Sequence, residues 1–141
     1  MRLRLVLSLS FSLACGHPQQ GPAMNPQIQD ELAALDRDPD GLHADRTPAV
    51  ARLIELGEPA LLPLCDQLDH PDQLHRMRAQ RAVEGITRRS FGFDGHAWPD
   101  GALDTWSAWW QGIAYDAADS PGDRATAIAR LQQWSRSRPT P

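Results

Sequence analysis

The chain has 141 residues, a length suited to one domain, with a formal net charge of −4. All of its basic residues other than histidine are arginine. So mildly acidic a chain is a poor general nucleic-acid binder, because phosphates repel it unless a local basic face exists.

Residues 1–14 (MRLRLVLSLSFSLA) carry Arg2 and Arg4, then an apolar stretch broken only by serines, then the small residue Ala14. This is the order of a secretory signal, and the apolar stretch is too short to span a bilayer as a helix. Leu13-Ala14-Cys15 resembles the end of a bacterial lipoprotein signal, in which a small residue precedes a cysteine that becomes lipidated. Ser12 departs from the aliphatic usual there. The resemblance implies a lipid on Cys15 and a membrane-held protein of the cell envelope. Plain secretion after cleavage at Ala14 and an uncleaved cytosolic N-terminus are the competing readings. With Cys15 lipidated, Cys65 is the only thiol left and no intrachain disulfide can form. Cys65 sits within Leu61-Leu62-Pro63-Leu64-Cys65 and reads as a small buried apolar residue.

Residues 15–25 carry Gly, Pro and Gln without an apolar period, the composition of a flexible tether. From there to residue 137 the pattern is helical, with no sustained period-2 alternation, so the expectation is all-α. Asn25-Pro26 supplies a cap and a first-turn proline, and Ile28, Leu32 and Leu35 follow at helical spacing. Asp38-Pro39-Asp40-Gly41 stops that helix. Thr47-Pro48 repeats the start signal, Val50, Leu53, Ile54 and Leu56 form a stripe, and Gly57 ends it. Pro59 opens the next helix, whose apolar face is Leu61, Leu62, Leu64 and Leu68; Pro63 should bend it or restrict its first turn.

The longest helix is expected over 72–89, with Ala79, Ala82, Val83 and Ile86 on one stripe. A loop over 90–101 precedes a helix marked by Leu103, Trp106, Trp110, Ile113 and Ala117. Ser120-Pro121-Gly122-Asp123 is a capping box with Asp in the usual Glu position, and starts a last helix bearing Ile128, Leu131 and Trp134. The chain should fray from Ser135, leaving 138–141 as a tail.

The segment 53–86 resembles a bacterial HEAT repeat. Leu56-Gly57, Pro59, Leu64, Leu68-Asp69, Arg76, Ala79, Ala82, Val83 and Ile86 fall at matching places. His75 and Glu84 depart from it, with Gly85 one residue after the position where the family often has Gly. The stretch 86–110 is similar to the end of some such proteins: Ile86-Thr87, then Phe91-Gly92-Phe93-Asp94, then Trp106-Ser107-Ala108-Trp109-Trp110. The resemblance covers about half of the chain. It implies a short helical-hairpin solenoid of five to six helices with a Trp-rich C-terminal cap, since a solenoid's last repeat would otherwise expose an apolar face. It also implies a structural pair between Asp69 and Arg76.

No catalytic set emerges. There is no Gly-x-Ser-x-Gly elbow, no Gly-rich phosphate loop, no Cys-x-x-Cys, no His-Glu-x-x-His and no calcium loop. His70 and His75, five apart, do not share a helix face. Asp94-Gly95-His96 reads as a polar turn. Neither a metal nor another cofactor is expected.

The strongest surface feature is the arginine run on the long helix, set against only Asp72 and Glu84. Arg78, Arg81, Arg88 and Arg89 are candidates for a face that binds an acidic or anionic protein partner, the alternative being an ordinary solvated face. Trp98 and Trp109 lie off the stripe of Trp106 and Trp110, and are candidates for partner anchors or for cap packing. The function expected is a non-catalytic, membrane-anchored interaction module of the bacterial envelope. The competing readings are nucleic-acid binding through the helix at 72–89 and, less favoured, a lyase resembling the HEAT-like bilin lyases. With a signal segment in place, no nucleic acid is expected.

Overall fold

The computed structural model describes residues 23–138. The expected signal segment, Cys15, most of the tether and residues 139–141 lie outside them. Six α-helices follow one another: α1 (Pro26–Ala33), α2 (Pro48–Leu56), α3 (Leu61–Gln67), α4 (Gln73–Ser90), α5 (Ala102–Ile113) and α6 (Pro121–Ser137). A 3₁₀ turn, Glu58–Ala60, leads into α3. No strand occurs among the described residues, so the architecture is all-helical. No helix among them is long and apolar enough to cross a membrane.

The helix starts follow the local code. Asn25, Thr47, Asp72 and Ser120 each accept a backbone N–H of the helix they precede, satisfying donors that a helix start leaves without an internal partner. Proline follows three of these caps, where its missing N–H costs nothing. Pro63 falls in the first turn of α3, the position a helix tolerates. Gly57 ends α2 at φ 74°, backbone that an L side chain rarely adopts.

The core joins all six helices. Ile28, Leu53, Leu61, Leu64, Val83, Ile86 and Leu131 are fully buried in one cluster with Cys65, Ala79 and Ala82. Each such aliphatic chain contributes on the order of 1.5–3 kcal/mol by leaving water. Helix α4 packs on α2 and α3, α1 on α2, and α6 on α3 and α5. Gly85 explains how α2 and α4 come so close. A Cβ at that position would lie 2.4 Å from Ile54 Cδ1.

Two sequence expectations need correction. The stripe from Leu103 to Ala117 is not one helix, because α5 stops at Ile113 and Ala114 turns left-handed at φ 55°. Leu103 is exposed, while Tyr115 and Ala117 reach the core from the loop instead. At the other end, α6 runs past Ser135 to Ser137, and Arg138 is held by Glu58 at 2.8 Å and lies over the Trp134 ring.

Candidate functional site

The arginines of α4 divide into two sets by what they meet. Arg76 and Arg78 are buried. Arg76 donates from Nε to the Ala117 carbonyl at 2.8 Å and from Nη1 to the carbonyls of His70 and Pro71. It does not pair with Asp69. That carboxylate projects from the turn after α3 toward the start of α6, where Arg124 grips it from Nε and Nη2 at 3.1 and 2.8 Å. The expected Asp69–Arg76 pair is thus replaced by two separate ties, because Arg76 lies beneath the turn among carbonyl groups. Tyr115 adds a third tie to the same turn, donating its hydroxyl to the Leu68 carbonyl at 2.7 Å. Burial pushes the Tyr115 phenol up to about 12.

Arg78 donates to the Ala44 carbonyl at 2.9 Å and to Asp36 at 2.6 Å. It fastens the α1–α2 loop and is not part of an open face. His75 works beside it, hydrogen-bonded to Asp36 at 2.8 Å and to Gln67 at 3.0 Å. Its ring stacks on His70 at 3.9 Å. The two histidines meet because His70 precedes the cap of α4, outside the helical spacing rule. Burial pushes the Asp36 carboxyl up, but the hydrogen bonds and charges of His75 and Arg78 outweigh it and hold it below its ordinary value.

Arg81, Arg88 and Arg89 belong to a different place. With Arg46 they rim a groove of about 300 Å³ between α2 and α4, closed at one side by Phe93 and Gly95. Its apolar floor is Val50, Ala51 and Ile54 from α2 and Gly85 from α4. Both sides arise from a helical period: Thr47, Val50, Ala51 and Ile54 on α2, and Arg81, Glu84, Gly85, Arg88 and Arg89 on α4. Ile54 lies directly against Gly85, in the space a side chain there would need, so α2 and α4 meet along the floor of the groove.

The rim charges are not equally free. Arg81 is paired with Asp45, its Nε at 2.9 Å from Oδ2. Burial pushes the Asp45 carboxyl up, but Arg81 more than offsets this and holds it below the ordinary value. Arg88 lies 4.6 Å over the centroid of Trp106, and its nearest carboxylate oxygen is Glu84 Oε2 at 3.7 Å. Its Nε is withdrawn from water without a hydrogen-bond partner. Arg89 is exposed and donates to the Ile54 carbonyl at 3.1 Å. The exposed Arg46 has no side-chain partner among the described residues. Glu84 is the lone carboxylate in the lining. Guanidinium groups stay charged and donate, so this groove is equipped to hold an anion beside an apolar group.

The other candidates lie elsewhere. Trp109 sits among Phe91, Trp110 and Trp134, with ring centroids at 5.2, 5.9 and 4.6 Å, and packs against the core. Trp98 lies between Phe93 at 5.0 Å and Trp106 at 5.9 Å. Both are parts of an aromatic cluster and half-buried. Trp106 ties that cluster to α4 by donating its indole N–H to Thr87 at 3.2 Å. Asp94 accepts the N–H groups of His96 and Ala97, which is the expected polar turn. Burial pushes the Cys65 thiol up to about 12, far from a thiolate nucleophile at neutral pH. Among the described residues no three His, Cys, Asp or Glu side chains converge on a metal-binding position.

Sequence reasoning found three of the four rim arginines but not Arg46 or the floor. The floor had a signal, the stripe at Thr47, Val50, Ala51 and Ile54 beside a glycine on α4. Reading it required knowing that α2 and α4 are neighbours. No protein family, no curated protein and no solved structure matches the chain.

Proposed function

We propose that the chain is a non-catalytic interaction module of the bacterial cell envelope, anchored by a lipid on Cys15, that takes a segment of an acidic protein partner between α2 and α4. The observation that carries this reading is the pairing of an apolar floor with arginines along the rim of one groove. Buried apolar contact supplies affinity in such a site, and charge complementarity supplies selectivity and on-rate. The rim favours a protein segment over nucleic acid, since Asp45 already pairs with Arg81 and the buried Arg78 is taken by Asp36 away from the groove. Few positive charges then remain for backbone phosphates.

The architecture we infer is a short HEAT-like solenoid closed by its last hairpin. Its support is the packing order. In a regular array each helix meets its counterpart in the next repeat. Here α2 and α4 do meet, but α3 meets α6, while α5 reaches α4 through Trp106. The last hairpin is thus turned relative to the one before it, which suits an end unit.

The test is a photo-crosslinking residue placed at Ala51, within the groove, or at Gln133, exposed on α6, in cells that lipidate exported proteins. The expected result is a defined crosslinked partner from position 51 alone, lost on Arg88→Glu. Equal crosslinking from both positions, or none from 51, overturns the docking reading. Intact mass of the same protein tests the anchor. Mature protein beginning at Cys15 with acyl chains, absent in Cys15→Ala, is expected; a full-length unmodified mass overturns it.

A further inference from the structure

We infer that the groove takes an extended peptide carrying one apolar side chain with carboxylates two residues to either side, and that Glu84 is a built-in competitor for the same arginines. This rests on the docking reading above.

The length fits. Arg46 and Arg81 stand at one end of the groove and Arg88 and Arg89 at the other, because the start of α2 lies by Arg81 and its end by Arg89. Seven residues of helix from Arg81 to Arg88 span about 10 Å. In an extended strand, side chains two apart share one face, and residues at −2 and +2 lie about 13 Å apart. An apolar side chain between them would fall over Ala51 and Ile54. A volume of about 300 Å³ is at the lower end of ligand pockets, suited to a side chain and small for a lipid acyl chain.

Glu84 already occupies part of this charge pattern, and poorly. Its Oε1 accepts from Gln80 at 2.9 Å, a sound hydrogen bond. Its Oε2 is 3.4 Å from Arg81 and 3.7 Å from Arg88, beyond the 2.7–2.9 Å usual for a charge-assisted contact. The Arg88 guanidinium meanwhile lies over Trp106, and its Nη2 meets Glu84 only at 3.7 Å. A ligand carboxylate arriving at ordinary distance would therefore gain contacts that Glu84 does not make, while Glu84 repels it. Removing that charge should tighten binding, the reverse of removing an arginine.

The experiment is fluorescence anisotropy of a labelled Glu-Ser-Leu-Ser-Glu peptide titrated with the full chain at low ionic strength. Glu84→Gln should tighten binding roughly two- to five-fold, the scale of one partly exposed ion pair. Arg46→Glu and Ala51→Glu should weaken it at least as much, both at exposed positions that leave the core intact. Replacing the peptide's Leu by Ser should also weaken it. If binding depends on Arg46 and Ala51 but is unmoved by Glu84→Gln or by the loss of Leu, this inference fails while the docking reading stands. If the peptide does not bind and position 51 gives no crosslink, both fail. Binding of anionic vesicles, blocked by Ala51→Glu, without binding of the peptide would overturn the peptide as occupant.

Discussion

The two halves of the molecule handle their conspicuous side chains in opposite ways. Around α2 and α4 the conspicuous residues are arginines, and only some find internal partners. Arg76 and Arg78 are absorbed by carbonyls and by Asp36, whereas Arg46, Arg88 and Arg89 remain at the edge of an open groove. Around α5 and α6 the conspicuous residues are tryptophans, and these close on one another and on Phe91 and Phe93. Rings attract rings at short range without a partner of opposite charge, so the four tryptophans of this hairpin, with Trp98 before it, can pack on one another. Guanidinium groups repel each other, so a run of them closes only where carboxylates or carbonyls are brought in from elsewhere in the chain.

The sharpest way to break this contrast is Trp106→Ala. It removes the ring that joins the aromatic half to Thr87 and Arg88, and should cost about 3–5 kcal/mol in urea unfolding followed by circular dichroism. It should also loosen Arg88 and so weaken groove binding. A loss below about 1 kcal/mol would mean that the C-terminal hairpin holds without this joint.

Arg78→Ala tests the arginine half. It strips a buried donor from Asp36 and Ala44, with an expected loss of about 1.5–3 kcal/mol. An exposed face residue would give almost none, which makes equilibrium unfolding a direct check of the division between Arg78 and Arg88. Gly85→Ala should cost about 1–3 kcal/mol, as Ile54 is forced to move. Its groove would be shallower, so peptide binding should weaken as well. Unchanged stability and binding would mean that α2 and α4 separate freely.

The smallest effect expected is with acid. Asp36 and Asp45 both titrate below their ordinary value of 3.8 because of Arg78, His75 and Arg81. A depressed folded pKa gives stability that is complete above the unfolded value and is lost as pH falls through the folded one. The chain should thus keep that stability down to about pH 4 and lose it below. The dependence should shrink in Asp45→Asn. An unchanged acid profile in that variant would show that the Arg81 tie adds nothing to folding.

Much of this could be read along the chain. The caps at Asn25, Thr47, Asp72 and Ser120, the stop at Gly57 and the buried stripe of α4 are local signals, decided by backbone chemistry within four residues. The turn at Asp94 and the burial of Cys65 were equally legible. Where local reading failed, the cause was distance in sequence. The end of α5 at Ile113 follows from Tyr115 and Ala117 being drawn into the core against α3 and α4, across about forty residues or more. Asp69 was assigned to the nearer arginine, whereas α6 brings Arg124 to it from 55 residues away.

The sequence by itself therefore determined an all-helical chain, its helix starts, and most of its apolar stripes, though Leu62 and Leu103 of those stripes are exposed. Each of these depends on interactions that repeat every three or four residues. Only the tertiary structure decided which arginines are free and which tryptophans are packed. A guanidinium or an indole has the same local pattern in either role, and its fate depends on whether a distant carboxylate, carbonyl or ring is folded against it.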